Sequence, residues 1–131
     1  MGKLNAEMKE MINGQVLLIA TADGAGAPNI GPKGSFMVVD DNTLVYAELT
    51  AQKTLRNLKE NSRVSVIVFD KENRDGYQFK GTSEILTEGD LFEKVAKGLE
   101  SAGRPRPQYV VRVDIGEIYS VKPGRTAAKI A

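Results

Sequence analysis

The chain has 131 residues, with 18 Lys plus Arg, 17 Asp plus Glu, no Cys and no His. That length suits one domain around one core, and the missing Cys and His exclude cysteine nucleophiles, Cys/His zinc sites, Ser-His-Asp triads and His-ligated haem. Without Cys or His, redox or transfer chemistry would have to come from a borrowed cofactor, and a net charge of +1 provides no field to hold a nucleic-acid backbone or an anionic membrane.

From the start of the chain, Asn5 caps a short helix in which Met8, Met11 and Ile12 recur at helical spacing, with Gly14 as a left-handed stop. Short β-like runs follow at residues 15–22, 28–31, 35–39 and 43–47, separated by turns at 23–26 and 40–42. Between residues 50 and 60 the period changes. Ala51, Leu55 and Leu58 fall on one stripe, which predicts a helix. Residues 63–69 and 77–86 predict two further strands joined by a polar loop. Thr87-Glu88-Gly89-Asp90 reads as an approximate capping box for a helix carrying Leu91, Phe92, Val95 and Leu99. Gly103-Arg104-Pro105-Arg106-Pro107 ends that helix and reads as a solvated linker, and residues 108–115 and 117–121 read as a last pair of strands.

The apolar runs at 16–20 and 64–69 fall far short of the ~20 residues a membrane span needs. With no signal-peptide core at the start, a cytoplasmic location is expected. Seven or eight short strands with few helices favour a closed barrel, because closure removes exposed edges; a β-sandwich is the alternative.

Two stretches carry candidate chemistry. A helix starting near Thr50 places Lys53 in its first turn, where a cation is unfavourable unless an anion binds. In that case Lys53, the Thr50 and Thr54 hydroxyls, the Gln52 amide and free backbone N–H groups converge on it, and a phosphate fits. The plainer alternative is an ordinary Thr50 cap with Lys53 in water. The second stretch is Pro28-Asn29-Ile30-Gly31-Pro32-Lys33-Gly34-Ser35-Phe36, where two prolines and two glycines interrupt a strand edge. Unpaired backbone there could face a planar ring, with Gly34 permitting close approach and Lys33 adding positive charge. Here the alternative is a plain loop with Lys33 solvated. Tyr77, Phe79 and Tyr109 read as core or interface residues.

Together with Leu44-Val45-Tyr46, Gln52-Lys53-Thr54-Leu55-Arg56-Asn57-Leu58, the strand at 64–68 and Gly76-Tyr77-Gln78-Phe79-Lys80-Gly81-Thr82, these stretches resemble the FMN-binding split β-barrel proteins related to pyridoxamine 5'-phosphate oxidase. The resemblance covers most of the chain. It implies a mainly β fold with a few α-helices, a split antiparallel β-barrel forming a single domain over 1–131, and a homodimer with FMN at the subunit interface. Gly31, Pro32, Lys33, Gly34 and Ser35 would edge the isoalloxazine ring, and Tyr46, Ala47 and Glu48 would line the site. Gln52, Lys53 and Thr54, with Thr50, would hold the 5'-phosphate. The implied activity is an FMN-dependent oxidoreductase taking electrons from a nicotinamide or a redox protein. A non-catalytic electron carrier, a deazaflavin-dependent reductase and an empty dimeric scaffold are the alternatives.

Vitamin B6 oxidation is not expected. Gln52 stands where those oxidases carry arginine, Phe36 stands where they carry a substrate lysine, and their C-terminal Arg-rich motif is missing. The haem-degrading relatives need a histidine that this chain lacks. A barrel of this size has little interior volume for a three-ring cofactor, so the flavin is expected in an outer groove covered by a second subunit. That pairing is expected to bury apolar strand residues such as Tyr77, Phe79, Val111 and Val113 on whichever face is not turned inward.

Overall fold

The computed structural model describes residues 3–49, 52–123 and 128–131. In chain order the elements are α1 (Ala6–Gly14), β1 (Leu17–Ala22), β2 (Pro28–Lys33), β3 (Met37–Asp40), β4 (Thr43–Glu48), α2 (Gln52–Glu60), β5 (Arg63–Asp70), β6 (Asp75–Leu86), α3 (Asp90–Ser101), β7 (Tyr109–Ser120) and β8 (Ala128–Lys129). The strands pair antiparallel in the order β2-β1-β5-β6-β7-β4-β3, with the short β8 also on β7.

The outermost strands, β2 and β3, are joined by only three residues, so the chain itself draws the two edges of the sheet together. Register shows how strongly the sheet coils. Lys33 lies opposite Leu17, Leu17 opposite Val68, Val68 opposite Tyr77 and Tyr77 opposite Ser120, at one end of β7. Glu48 lies opposite Tyr109, at the other end. Lys33 and Glu48 nevertheless meet at 2.7 Å, which requires the large stagger of a closed barrel. The fold is the mainly β split barrel, not the sandwich.

Alternation along the strands fills the interior. Val64, Val66 and Val68 of β5 point inward beside Leu17, Ile19, Leu44, Tyr46, Phe79, Val111, Val113 and Ile118. The helix α1 lays Met8 and Ile12 against this core, and Asn5 Oδ1 accepts the Met8 N–H at 2.9 Å as its cap. Outside the barrel, Phe92, Val95, Ala96 and Leu99 of α3 cover Val45, Ala47 and Val110, which leaves β4 buried on both faces.

Several expectations are corrected. The helix α1 runs through Gly14 and ends on Gln15 in extended backbone, so no left-handed stop is used. Gly89, at φ 106°, caps α3 without a side-chain bond, so Thr87 forms no capping box. β2 continues through Pro32 and Lys33; its prolines share one parity, so both missing N–H groups fall on the side an edge strand leaves unpaired. The last pair of strands is one strand, β7. Lys80 pairs with Glu117 while Gly81 pairs with Ile115, making Gly116 the extra residue of a bulge. Any side chain on Gly81 would put its Cβ 1.9 Å from the Asp114 carbonyl oxygen, so that crossing demands glycine. Tyr77, Phe79, Val111 and Val113 all lie inside the barrel and cannot form a subunit interface. Among the described residues no helix is long and apolar enough to cross a membrane.

Candidate functional site

The edge strand β2 has a cluster of candidate residues at each end. At its first end α2 packs against β1 and β2. Asn57 Nδ2 donates to Thr21 Oγ1 at 3.1 Å, and Asn29 Nδ2 donates to Thr54 Oγ1 at 3.4 Å, so the inward side of the helix is fixed by amides and hydroxyls. Thr54 is buried in this contact. Lys53 and Arg56 are exposed and line a cleft of about 220 Å³ with Asp23, Pro28, Asn29 and Asn57.

Neither cation forms an ion pair among the described residues, and α2 has no acidic residue in its first turn. Asp23 is engaged by its own turn, its Oδ1 accepting the N–H groups of Ala25 and Ala27, both at 2.9 Å. Two unpaired cations near a helix N-terminus, flanked by side-chain amides, have the chemistry of a phosphate site. Thr50 lies outside the described residues, and so does the Gln52 side chain. Arg56 was missed from sequence, although its spacing of three from Lys53 puts the two on one face of a helix.

At the other end of β2, Lys33 Nζ and Glu48 Oε2 form an ion pair in which the side chains are 9% and 4% exposed. Lys33 Nζ also sits 5.5 Å from the centroid of the Tyr46 ring, which packs on Phe36 at 4.8 Å. Burial, reinforced by the Glu48 charge, pushes the Tyr46 phenol far above its ordinary value. Ser35 Oγ accepts the Ala47 N–H at 3.1 Å and donates to the Ala47 carbonyl at 3.2 Å, tying the β2–β3 corner to β4. Pro32, Lys33, Gly34, Ser35, Ala47, Glu48, Leu49 and Arg104 line a pocket of about 120 Å³. A Cβ at Gly31 or Gly34 would meet nothing within 4 Å, so the backbone there borders open space.

Most of the expected ring residues therefore gather at this corner, with two differences. Lys33 brings no free positive charge, because Glu48 matches it, and Tyr46 lies in the core beneath the pair instead of lining a surface. Arg104 reads in the sequence as part of a solvated linker, yet it lines the pocket.

Beside β2, the outer face of the sheet leaves apolar side chains in water. Val16 is 60%, Leu18 38%, Ile30 64% and Phe69 39% exposed.

Comparison with known proteins finds that the family described as Pyridoxamine 5'-phosphate oxidase matches residues 4–122. An uncharacterized protein of Methanocaldococcus jannaschii is 33% identical over 132 residues, spanning 98% of this chain and 87% of that protein. The crystal structure of HupZ from Group A Streptococcus superposes with a TM-score of 0.90 at 35% identity, covering 98% of this chain and 99% of HupZ. An FMN-binding protein from Syntrophomonas wolfei shares the fold, with a TM-score of 0.78 at 24% identity over 90% of this chain and 86% of that one.

Proposed function

The chain belongs to the pyridoxamine 5'-phosphate oxidase-like family of FMN-binding split barrels, and from that membership we propose that it is a flavoprotein holding FMN along the outer edge of β2. The observation that carries this reading is that a cleft lined by Lys53 and Arg56, unpaired among the described residues, and a glycine-bordered corner occupy opposite ends of one edge strand. Pro28 and Lys33 are separated by five strand steps, about 17 Å at ~3.4 Å per residue, a span that a ring and its ribityl phosphate can bridge. The residues fit the group. Among the described residues Lys53 and Arg56 have no ion-pair partner to give up on binding a phosphate, and Gly31 and Gly34 leave room for a ring against backbone.

When bound, FMN supplies redox chemistry that a chain without Cys or His lacks. The side chains hold and orient. Lys53 and Arg56 grip the phosphate, while the Lys33–Glu48 pair and Ser35 fix the corner that meets the ring. Electrons come from a nicotinamide or a redox-protein donor. Pyridoxamine phosphate is not the substrate we assign, since Phe36 is buried against Tyr46 where a substrate cation would be needed.

A second copy of the chain covers the flavin. The apolar face of Val16, Leu18, Ile30 and Phe69 adjoins the β2 edge, and a two-fold pairing through it would shield both the face and the ring.

The absorption spectrum of the purified protein tests the cofactor: a flavin spectrum is expected, whereas a deazaflavin spectrum or none would overturn it. Steady-state oxidation of a nicotinamide with an added acceptor separates a reductase from a carrier reduced only by a protein. Sedimentation is expected to give a dimer that Leu18→Lys dissociates; an FMN-loaded monomer would contradict the pairing.

A further inference from the structure

Away from both ends of β2, another cleft opens where β5, β6 and β7 run side by side. Arg63, Lys80, Gly81, Thr82, Gly116 and Glu117 line it, and its volume is about 280 Å³. Two glycines keep it open. Gly81 cannot carry a side chain, because the Asp114 carbonyl oxygen fills the place of its Cβ, and Gly116 is the extra residue of the β7 bulge. A bulge bends its strand and re-aims the neighbouring side chains.

The charges around this cleft are unevenly matched. Glu117 is engaged, since its Oε2 accepts the Tyr119 hydroxyl at 2.6 Å and lies 3.5 Å from Lys129 Nζ. Arg63 and Lys80 are exposed, and neither forms an ion pair among the described residues. Lys80 lies opposite Glu117 in register and feels its charge, yet that carboxylate is held by Tyr119 and Lys129. Register also brings the two cations together. Arg63 lies opposite Thr82 and Ser65 opposite Lys80, so Arg63 and Lys80 are diagonal neighbours on one face of the β5–β6 ladder. Long side chains reach each other on such a diagonal, where like charges repel. An anion held between them turns that repulsion into attraction from both sides.

The cleft is separate from the sites described above. None of its lining residues borders the α2 cleft or the β2–β3 corner. Arg63 shares strand parity with Phe69, so it lies on the same outer face as the apolar patch, six steps and about 20 Å along β5 at ~3.4 Å per residue.

We infer that Arg63 and Lys80 bind the phosphate group of a small phosphorylated ligand at this bulge, independently of the flavin. The Arg63 fork donates two parallel hydrogen bonds to an oxyanion, Lys80 adds a point charge, and the Thr82 hydroxyl supplies a further donor. The volume corresponds to roughly nine waters at ~30 Å³ each, room for a phosphate and a short chain that carries it.

The test is an amide ¹H–¹⁵N titration of the protein as purified, at fixed ionic strength, with inorganic phosphate, glycerol phosphate and chloride in separate series. Saturating shifts at Arg63, Gly81, Thr82 and Gly116 are expected with both phosphates and not with chloride. Arg63→Gln and Lys80→Gln should each weaken that response at least tenfold, and Arg63→Lys should retain part of it; the same spectra report that each variant is folded. Lys53→Ala should leave the response unchanged, which separates this cleft from the one on α2. Equal shifts with chloride, shifts that persist when both cations are replaced by Gln, shifts confined to the Lys53 and Arg56 region, or no saturating shift with phosphate would overturn the inference. So would a response to inorganic phosphate with none to glycerol phosphate, because the cleft would then admit only the free ion.

Discussion

The two ends of β2 each meet a lysine, and the fold treats the two in opposite ways. Lys33 is nearly buried with its charge matched at 2.7 Å, whereas Lys53 is exposed and unpaired among the described residues. Strand parity explains the first. Asn29, Gly31 and Lys33 lie opposite Thr21, Ile19 and Leu17, which face the barrel interior, so Lys33 must point inward too. A charge turned inward needs a partner, and the stagger of the barrel delivers Glu48 from the far end of the β7 ladder. Lys53 sits on the water side of α2 and has no such obligation. The lysine that closes the barrel serves the fold, and the one outside it faces water with its charge unmatched among the described residues.

The contrast can be broken most forcefully at the seam. Glu48→Ala strands Lys33 as a buried unpaired charge and should cost about 3–5 kcal/mol in urea unfolding, while Lys33→Met with Glu48→Leu should restore most of it. A loss below about 1 kcal/mol for Glu48→Ala would mean that the pair does not hold the seam. At the other end of β2, Asn57→Ala leaves the buried Thr21 hydroxyl without its partner and should cost about 1–3 kcal/mol, loosening α2 and so the cleft it carries.

Tyr46, beneath the ion pair, sharpens the comparison through pH. Its phenol stays protonated in the fold after the unfolded chain's has ionised near pH 10. Its contribution is therefore complete below that value and falls as pH rises beyond it. At pH 11 the native protein should lose about 1.4 kcal/mol that Tyr46→Phe does not lose. Parallel alkaline limbs in the two proteins would show that the phenol is not buried beside Glu48. The smallest effect belongs to Glu93, whose carboxyl Arg106 holds below its usual range at the surface. That stabilisation is present above the unfolded value and fades as pH falls through the folded one. Glu93→Gln should only slightly flatten the acid limb of the stability curve.

Much of this was legible in the chain, for identifiable reasons. Alternation marked β5 and β6, spacing marked Met8 and Ile12, and the glycine-proline corner at 31–35 announced itself through residues that interrupt a strand. What stayed hidden depended on distant partners. Gly116 reads as a break because a bulge is visible only once the facing strand is known. The Lys33–Glu48 pair arises from a stagger that no local pattern encodes. Tyr77 and Phe79 read as core or interface, and the structure decides for the core, because apolar alternation does not say which face of a strand becomes the interior. Arg104 lines the corner pocket from a loop whose base is tied to the end of α3, a contact that no local pattern encodes.

The central claim, that the free cations on α2 receive the phosphate of FMN, is tested most directly by fluorescence titration of flavin-free protein with FMN and with riboflavin, in native and Lys53→Ala forms. One charge-assisted bond contributes about 1.5–3 kcal/mol, so Lys53→Ala should weaken FMN by roughly 10- to 150-fold and leave riboflavin almost unchanged. Equal weakening of both ligands, or none of either, would contradict it.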